Sequence, residues 1–95
     1  MKKEIVVDAK ATGETIVRLL KERNMTDKEL ADQLGVSVQG VSKWLKGRAK
    51  PTVGHFVAMS YIFHIKVDDI VTVRETASGK TMTAMESLRL RHGTE

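Results

Sequence analysis

Apolar residues recur at helical spacing near the start of the chain. Residues 16–20, IVRLL, place apolar side chains on one face, and charged residues around them fill the opposite face. This pattern predicts a first helix that ends near Asn24, a residue that tolerates the left-handed backbone of a helix end. The start of this helix stays open, because Asp8 and Thr12 could each act as its N-cap.

A second and a third short helix follow, separated by a glycine. Thr26 and Glu29 have the spacing of a capping box, which predicts a helix over residues 27–34. Gly35 then provides the positive φ that ends this helix. Ser37 is a suitable N-cap for the helix after it.

The third helix, residues 37–46, has one apolar and one polar face. Val41, Trp44 and Leu45 share a side, so packing in the core accounts for Trp44 better than stacking on a base. The opposite side is predicted to be polar, basic and exposed. It carries Gln39, Ser42, Lys43 and Lys46.

Weaker patterns describe the rest of the chain. Residues 52–63 have apolar side chains at helical spacing and predict a fourth helix, and residues 67–71 predict a short fifth one. Residues 5–7 and 71–74 could pair as short strands. Residues 81–91 predict either a helix or a mobile tail.

Small residues around the second and third helices have a specific spacing. Two short helices joined by a tight glycine turn can cross only if the first has a small residue at the crossing point. Ala31 meets this need, Gly35 makes the turn, and Val41 fills the space between the helices. This spacing agrees with the capping and charge patterns, and together they predict a helix-turn-helix.

Residues 12–71 resemble the helix-turn-helix domain of the phage Cro and C1 repressors, also called the XRE family. The similarity is carried by LADQLGVSVQGVSKWLKGRAKPTVGHFVAMSYIFHIKVDDIV, which begins at Leu30. The resemblance implies an all-α, five-helix, lambda-repressor-like DNA-binding domain. It leaves residues 1–11 as an N-terminal arm and residues 72–95 as a C-terminal tail that could serve dimerisation.

In the family that this chain resembles, the third helix lies in the major groove and the flanking loops contact phosphates. Gln39 could then bond the edge of an adenine, Lys43 could donate to a guanine, and Val38 could touch a thymine methyl group. The implied base-reading residues are Ser37, Val38, Gln39 and Lys43. The implied phosphate contacts are Thr26, Lys28, Ser42, Lys46, Arg48 and Lys50.

Four positions depart from the family pattern. His64 stands where a glycine or asparagine helix stop is usual and Lys66 where a capping hydroxyl is usual, and neither lies on the reading surface. The start of the second helix usually offers a neutral or basic phosphate contact, but here it offers Asp27, whose carboxylate repels a phosphate. Thr26 or Lys28 is therefore the expected replacement. Gly40 stands where the family has a small side chain, and it costs about 1 kcal/mol of helix propensity relative to alanine.

The charge distribution favours a polyanionic partner. The 95 residues carry a net charge of +4, and residues 33–67 contain no Asp or Glu. This separation of charge predicts an electropositive face. The cations of the acid-free segment are Lys43, Lys46, Arg48, Lys50 and Lys66.

Composition argues against several other classes of protein. The chain has no cysteine, and its three histidines lack metal-ligand spacing, so no metal, cofactor or small-molecule ligand is expected. No nucleophile has an evident base, which argues against an enzyme. No apolar run has the length of a signal sequence or a membrane span, so a cytoplasmic location is expected.

Two functional hypotheses remain. The first is a sequence-specific regulator of transcription, most simply a repressor, that binds double-stranded DNA as a homodimer. Its dimer surface would include the fifth helix and residues 82–90. The second is a protein-interaction module, such as an antitoxin-like protein or an adaptor, in which DNA binding is weak or lost. Asp27 is the residue that favours this second hypothesis.

Overall fold

The strands and the helices form two compact units. The computed structural model describes residues 3–77 and 80–81. One unit contains three β-strands. The other extends from Asp8 to Thr72 and contains the four α-helices of the described residues.

The sheet is antiparallel and has the strand order β1-β2-β3. β1, Lys3–Val7, pairs with β2, Val73–Ala77, in a register that places Val7 opposite Val73. β3 is the two-residue strand Lys80–Thr81, which pairs with the end of β2. The two predicted strands do pair, as their β-branched residues favour. The first begins two residues earlier than predicted, and the second lies at residues 73–77 and not at 71–74.

The first helix, α1, consists of Ala9–Glu22, and Asp8 is its N-cap. The Asp8 Oδ1 atom accepts a hydrogen bond from the Ala11 N–H at 3.0 Å. Thr12, the alternative cap, lies buried within the helix, where its Oγ1 accepts a hydrogen bond from the Thr72 N–H at 3.0 Å. The Asp8 N–H donates to the Thr72 carbonyl at 2.7 Å, so these bonds join the two ends of the helical unit.

Three further helices each begin at a side-chain cap. They are α2, Asp27–Leu34, α3, Val38–Leu45, and α4, Val53–Phe63. Thr26, Ser37 and Thr52 precede them, and each hydroxyl accepts a hydrogen bond from the backbone N–H three residues later. The predicted bounds of the second helix are confirmed. Those of the third helix differ by one residue at each end, and those of the fourth by one residue at its start.

Each of the four α-helices of the described residues is followed within two residues by a residue with left-handed backbone. These residues are Asn24, Gly35, Gly47 and His64, with φ values of 51°, 69°, 72° and 58°. At the end of α2 the Val36 N–H donates to the Ala31 carbonyl at 3.1 Å, which is the bond of a Schellman motif. Such ends reverse the chain in few residues, so that short helices can pack on one another.

The prediction of a fifth α-helix is wrong. The structure has a single 3₁₀ turn, Val67–Asp69, where the sequence predicts a helix over residues 67–71. Lys66 occupies the cap position and offers no side-chain acceptor, and β-branched residues 71–73 lead directly into β2. The described residues are therefore mostly helical rather than all-α. Residues 82–91 of the predicted C-terminal helix, including the predicted dimer segment, lie outside the described residues.

One apolar core holds the helical unit together. Each α-helix contributes at least one fully buried side chain, and these include Ile16, Leu30, Val41 and Met59. Ile70, which follows the 3₁₀ turn, is also buried against this cluster. The apolar faces that the helical spacing predicts are the faces that meet in this core.

Replacing Thr12 by Val should lower the free energy of unfolding by about 1 to 2 kcal/mol, since it removes a buried hydroxyl that bonds the Thr72 backbone. Thr15→Val is the matched control in the same helix. The Thr15 hydroxyl donates only to the Ala11 carbonyl of its own helix, and we expect a change below about 0.5 kcal/mol. Urea unfolding of both variants measures the difference. Equal destabilisation by both would show that the Thr12–Thr72 bonds do not join the ends of the unit.

Candidate nucleic-acid interface

The crossing of α2 and α3 depends on three residues. Ala31 is 1% exposed and Val41 is fully buried, and both belong to the one apolar cluster into which α2 and α3 pack. Gly35 adopts φ 69° at the end of α2, a backbone conformation that a residue with a Cβ adopts only with strain. The predicted helix-turn-helix is therefore present, and it determines which face of α3 stays outside.

The first turn of α3 presents residues to solvent. Ser37 is exposed, and its hydroxyl oxygen accepts a hydrogen bond from the Gly40 N–H at 3.0 Å. Val38 is 41% exposed, a large fraction for a valine, and Gln39 beside it is exposed as well. Both side chains are therefore accessible to a partner.

A shallow, open concavity of about 400 Å³ lies along the outer face of α3. It combines one apolar side chain, one amide, one hydroxyl and three cations, and no carboxylate. These groups can donate hydrogen bonds to base edges, touch a methyl group and neutralise phosphates. The residues that line it are Val38, Gln39, Ser42, Lys43, Lys46 and Arg48.

The inner face of α3 packs in the core. Trp44 is 6% exposed, and its ring lies 4.9 Å from the His55 ring, measured between centroids, at an interplanar angle of 45°. His55 is itself held in place, because its Nδ1 accepts a hydrogen bond from the Thr52 N–H. The prediction that Trp44 packs in the core is confirmed, and the buried ring is not available to stack on a base.

The turn after α3 brings cations back beside the helix. The Gly47 N–H donates to the Trp44 carbonyl at 3.0 Å, and the Arg48 N–H donates to the Lys43 carbonyl at 2.9 Å. This turn places Arg48 on the concavity together with Lys46. Lys50 is exposed farther along the loop and does not line the concavity.

The start of α2 carries negative charge. Hydrogen bonds with the backbone and the side chain of Thr26 lower the pKa of the Glu29 carboxyl, so it stays ionised. Asp27 is exposed beside it. Thr26 and Lys28 are exposed on the same turn, but neither lines the concavity. The structure therefore brings together six of the ten predicted site residues, and the other four lie outside that surface.

Two residues that support α3 were not predicted. Gly13 is buried in α1, and a Cβ added there would overlap the Trp44 carbonyl oxygen and lie 2.9 Å from the Leu45 carbonyl oxygen. Lys10 packs against Gly47 in the turn after α3. For Gly13 the sequence signal was the glycine itself, since a glycine inside a helical pattern costs about 1 kcal/mol and usually has a packing reason. For Lys10 it was a lysine near a helix N-terminus, where the helix dipole disfavours a cation.

The described part of the chain has neither a cluster of metal ligands nor a membrane-spanning helix. No group of three or more His, Cys, Asp or Glu residues is placed to hold a metal ion. None of the helices there has both the length and the apolar character needed to cross a membrane.

Comparisons with known proteins identify related sequences. A family model described as helix-turn-helix matches residues 16–70. Over 63 residues the chain is 31% identical to the HTH-type transcriptional activator BcrR of Enterococcus faecalis. The aligned segment covers 66% of this chain and 31% of BcrR. The chain thus matches about a third of the length of this relative.

Two solved structures have a similar fold. A transcriptional regulator from Listeria innocua has a TM-score of 0.62 and 22% identity, with 88% of this chain and 77% of that chain covered. The restriction-modification controller protein C.AhdI from Aeromonas hydrophila has a TM-score of 0.62 and 14% identity, with 66% and 96% covered. At these identities the likeness concerns the fold alone.

Proposed function

This chain belongs to the Cro/C1-type, or XRE, helix-turn-helix family of transcriptional regulators, and we propose that it binds specific sequences of double-stranded DNA. In this proposal α3 enters the major groove with its first turn toward the bases. The DNA-binding segment is residues 12–71, as the sequence predicts. No step of the function requires covalent chemistry.

The outer face of α3 is the observation that carries the proposal. Three side chains of different chemistry point into one open concavity, and no carboxylate lines it. Val38 offers an apolar surface for a thymine methyl group, Gln39 an amide for an adenine edge, and Lys43 an ammonium for guanine O6 and N7. Ser37, at the N-cap, is assigned to the base edges beside them. A helix face that only contacts solvent has no need for an apolar, an amide and an ammonium side chain together without a carboxylate.

Phosphate contacts would flank the base-reading residues. Lys46 and Arg48 line the same concavity, Lys50 extends the basic surface along the loop, and Ser42 offers a hydroxyl within the concavity. Such contacts give affinity and salt dependence, but little sequence information. Thr26 and Lys28 are the assigned contacts at the start of α2, where the carboxylates of α2 weaken the attraction.

We propose that the protein binds DNA as a homodimer, whose two subunits read half-sites about one helical turn apart. Occupying such a site can block transcription without any additional surface, so repression is the proposed mode of action. BcrR is named an activator, and the direction of regulation is therefore a separate measurement. A reporter gene downstream of the selected site should fall in expression when the full chain is supplied, whereas a rise would overturn the repressor assignment.

Selection of bound sequences from a random double-stranded DNA pool tests the proposal. About 150 mM salt is the suitable condition, because it suppresses purely electrostatic binding. We expect a palindromic motif with half-sites about 10 base pairs apart. An asymmetric motif would support sequence-specific binding and overturn the homodimer. No enrichment at this salt concentration would overturn the DNA-reading proposal itself.

A protein-interaction module is the second candidate function, and two observations favour it. The start of α2 is acidic, which disfavours a phosphate there. In addition, α4 exposes apolar side chains one turn apart, since Val53 and Tyr61 are each about 80% exposed and Val57 lies between them. Failure of the DNA selection, together with capture of one defined partner that Tyr61→Ala abolishes, would favour this candidate.

A further inference from the structure

Lys10 stands where a cation is locally unfavourable. It is the second residue of α1, and no acidic residue lies in the first turn of that helix. The N-terminus of a helix carries a partial positive charge, which disfavours a lysine. The acidic group at this end of the helix is the N-cap carboxylate of Asp8, whose Oδ1 already accepts the Ala11 N–H. A residue that opposes the local preference of its element often has a function elsewhere.

Lys10 packs directly against the turn that follows α3. A Cβ added to Gly47 would lie 2.8 Å from the Lys10 Cα and 3.2 Å from the Lys10 Cβ. The two backbones therefore touch, and the close approach requires a glycine at position 47. The Lys10 side chain begins at this contact and is exposed.

The turn that Lys10 contacts is the basic turn of the candidate interface. Lys46 and Arg48 are the neighbours of Gly47 in the chain, and both line the concavity on α3. Lys10 therefore adds a third cation to this place. The described residues form two ion pairs, and both use Glu22 at the opposite end of α1. Lys10 takes part in neither of them.

We propose that Lys10 contacts a DNA phosphate beside those bound by Lys46 and Arg48, so that the start of α1 is part of the DNA-binding surface. This inference rests on the proposed function, and it extends that surface to a helix outside the helix-turn-helix. The contact carries no sequence information. Lys10 retains an unfavourable position in α1 because its charge serves DNA binding.

Lys10→Ala in the full chain tests the proposal, with the selected DNA site and a random-sequence duplex as the two probes. We expect affinity for both probes to fall about three- to tenfold at 150 mM salt. The slope of log K against log salt should become shallower by about 0.9, the value for one phosphate contact. The order of base preferences should stay the same. Lys10→Arg, which keeps the charge, should restore both the affinity and the slope.

Thermal stability separates a DNA contact from a structural role. Lys10→Ala removes a cation from a helix N-terminus, so its melting temperature should equal or exceed that of the original protein. Lys21→Ala is the matched control, since Lys21 is exposed in the last turn of α1, where a cation stabilises the helix. This control should lower the melting temperature slightly and leave the salt slope unchanged.

Three outcomes would overturn the role of Lys10. These are an unchanged salt slope in a protein whose slope Arg48→Ala does reduce, a loss of affinity that accompanies a lower melting temperature, and a loss confined to one base position. Failure of the proposed function looks different, because the original protein would then select no sequence and Arg48→Ala would have no effect. In that case the Lys10 contact is overturned together with the DNA-reading proposal.

Discussion

Gly13→Ala is expected to lower the free energy of unfolding by about 2 to 3 kcal/mol, even though alanine is the better helix former by about 1 kcal/mol. The reason is the close approach of α1 to the last turn of α3. A Cβ at position 13 would overlap the Trp44 carbonyl oxygen and come within 2.9 Å of the Leu45 carbonyl oxygen. Both neighbours are helix backbone, which cannot rotate away as a side chain can, so one helix must move.

Gly54→Ala is the matched control for this substitution. Gly54 lies in the first turn of α4, where an added Cβ would meet only the Thr52 hydroxyl, at 3.7 Å. This is an ordinary van der Waals contact, so the gain in helix propensity should remain and stabilise the protein by up to about 1 kcal/mol. The same change, glycine to alanine in a helix, should thus have opposite signs at the two positions.

Thermal unfolding measures this pair directly. For a chain of this size, 1 kcal/mol shifts the melting temperature by about 4 to 8 °C, so the two variants should differ by more than 10 °C. Because Gly13 supports the C-terminal end of α3, its replacement should also weaken DNA binding at temperatures where the variant is folded. A Gly13→Ala protein as stable as Gly54→Ala would show that α1 and α3 can separate without cost.

Local signals explain the correct predictions from the sequence. A capping hydroxyl acts over three residues, so Thr26 and Ser37 mark the starts of α2 and α3 without reference to the rest of the fold. Left-handed helix ends at Asn24 and Gly35 are equally local. Once those bounds are known, a period of 3.6 residues is enough to place Trp44 inside and the polar residues of α3 outside.

Contacts between distant segments explain what the sequence did not predict. Gly13 and Trp44 are far apart in the chain, and so are Lys10 and Gly47, yet each pair is in close contact in the fold. One sequence contains no signal for such a pair except a glycine in a helix, or a lysine where the helix dipole disfavours it. Both supports of α3 therefore depend on the tertiary fold, which a local sequence pattern does not encode.

The incorrect fifth helix has a different origin. The prediction followed the apolar spacing and the family pattern, whereas Lys66 at the cap position gives the segment no side-chain acceptor. Without a cap, three residues form a 3₁₀ turn, and Ile70 still reaches the core. The burial of Ile70 was therefore easier to predict than the helix around it. Burial depends on one apolar side chain, whereas a helix depends on several backbone hydrogen bonds.

Lys43→Ala should change the base preferred at one position of the bound DNA, with a loss of discrimination of about 1 to 3 kcal/mol there. Lys43 is exposed in the last turn of α3, and its side chain lines the concavity beside Gln39 and Val38. A bidentate donor to guanine distinguishes it from other bases, so affinity for the preferred site should fall about 5- to 150-fold, and affinity for other sequences should change little.

Arg48→Ala is the comparison that distinguishes a base contact from a phosphate contact. Arg48 lines the same concavity but lies in the turn after α3, where a phosphate contact is proposed. Its loss should weaken binding to every sequence alike and make the salt slope shallower by about one unit, without a change in base preference. Lys66 is a cation that does not line the concavity, so Lys66→Ala should change neither property.

Binding to a panel of single-base variants of the selected site, measured at two salt concentrations, separates the three proteins. If Lys43→Ala instead behaves like Arg48→Ala, Lys43 contacts the backbone of the DNA, and base reading by α3 must rest on the residues of its first turn alone.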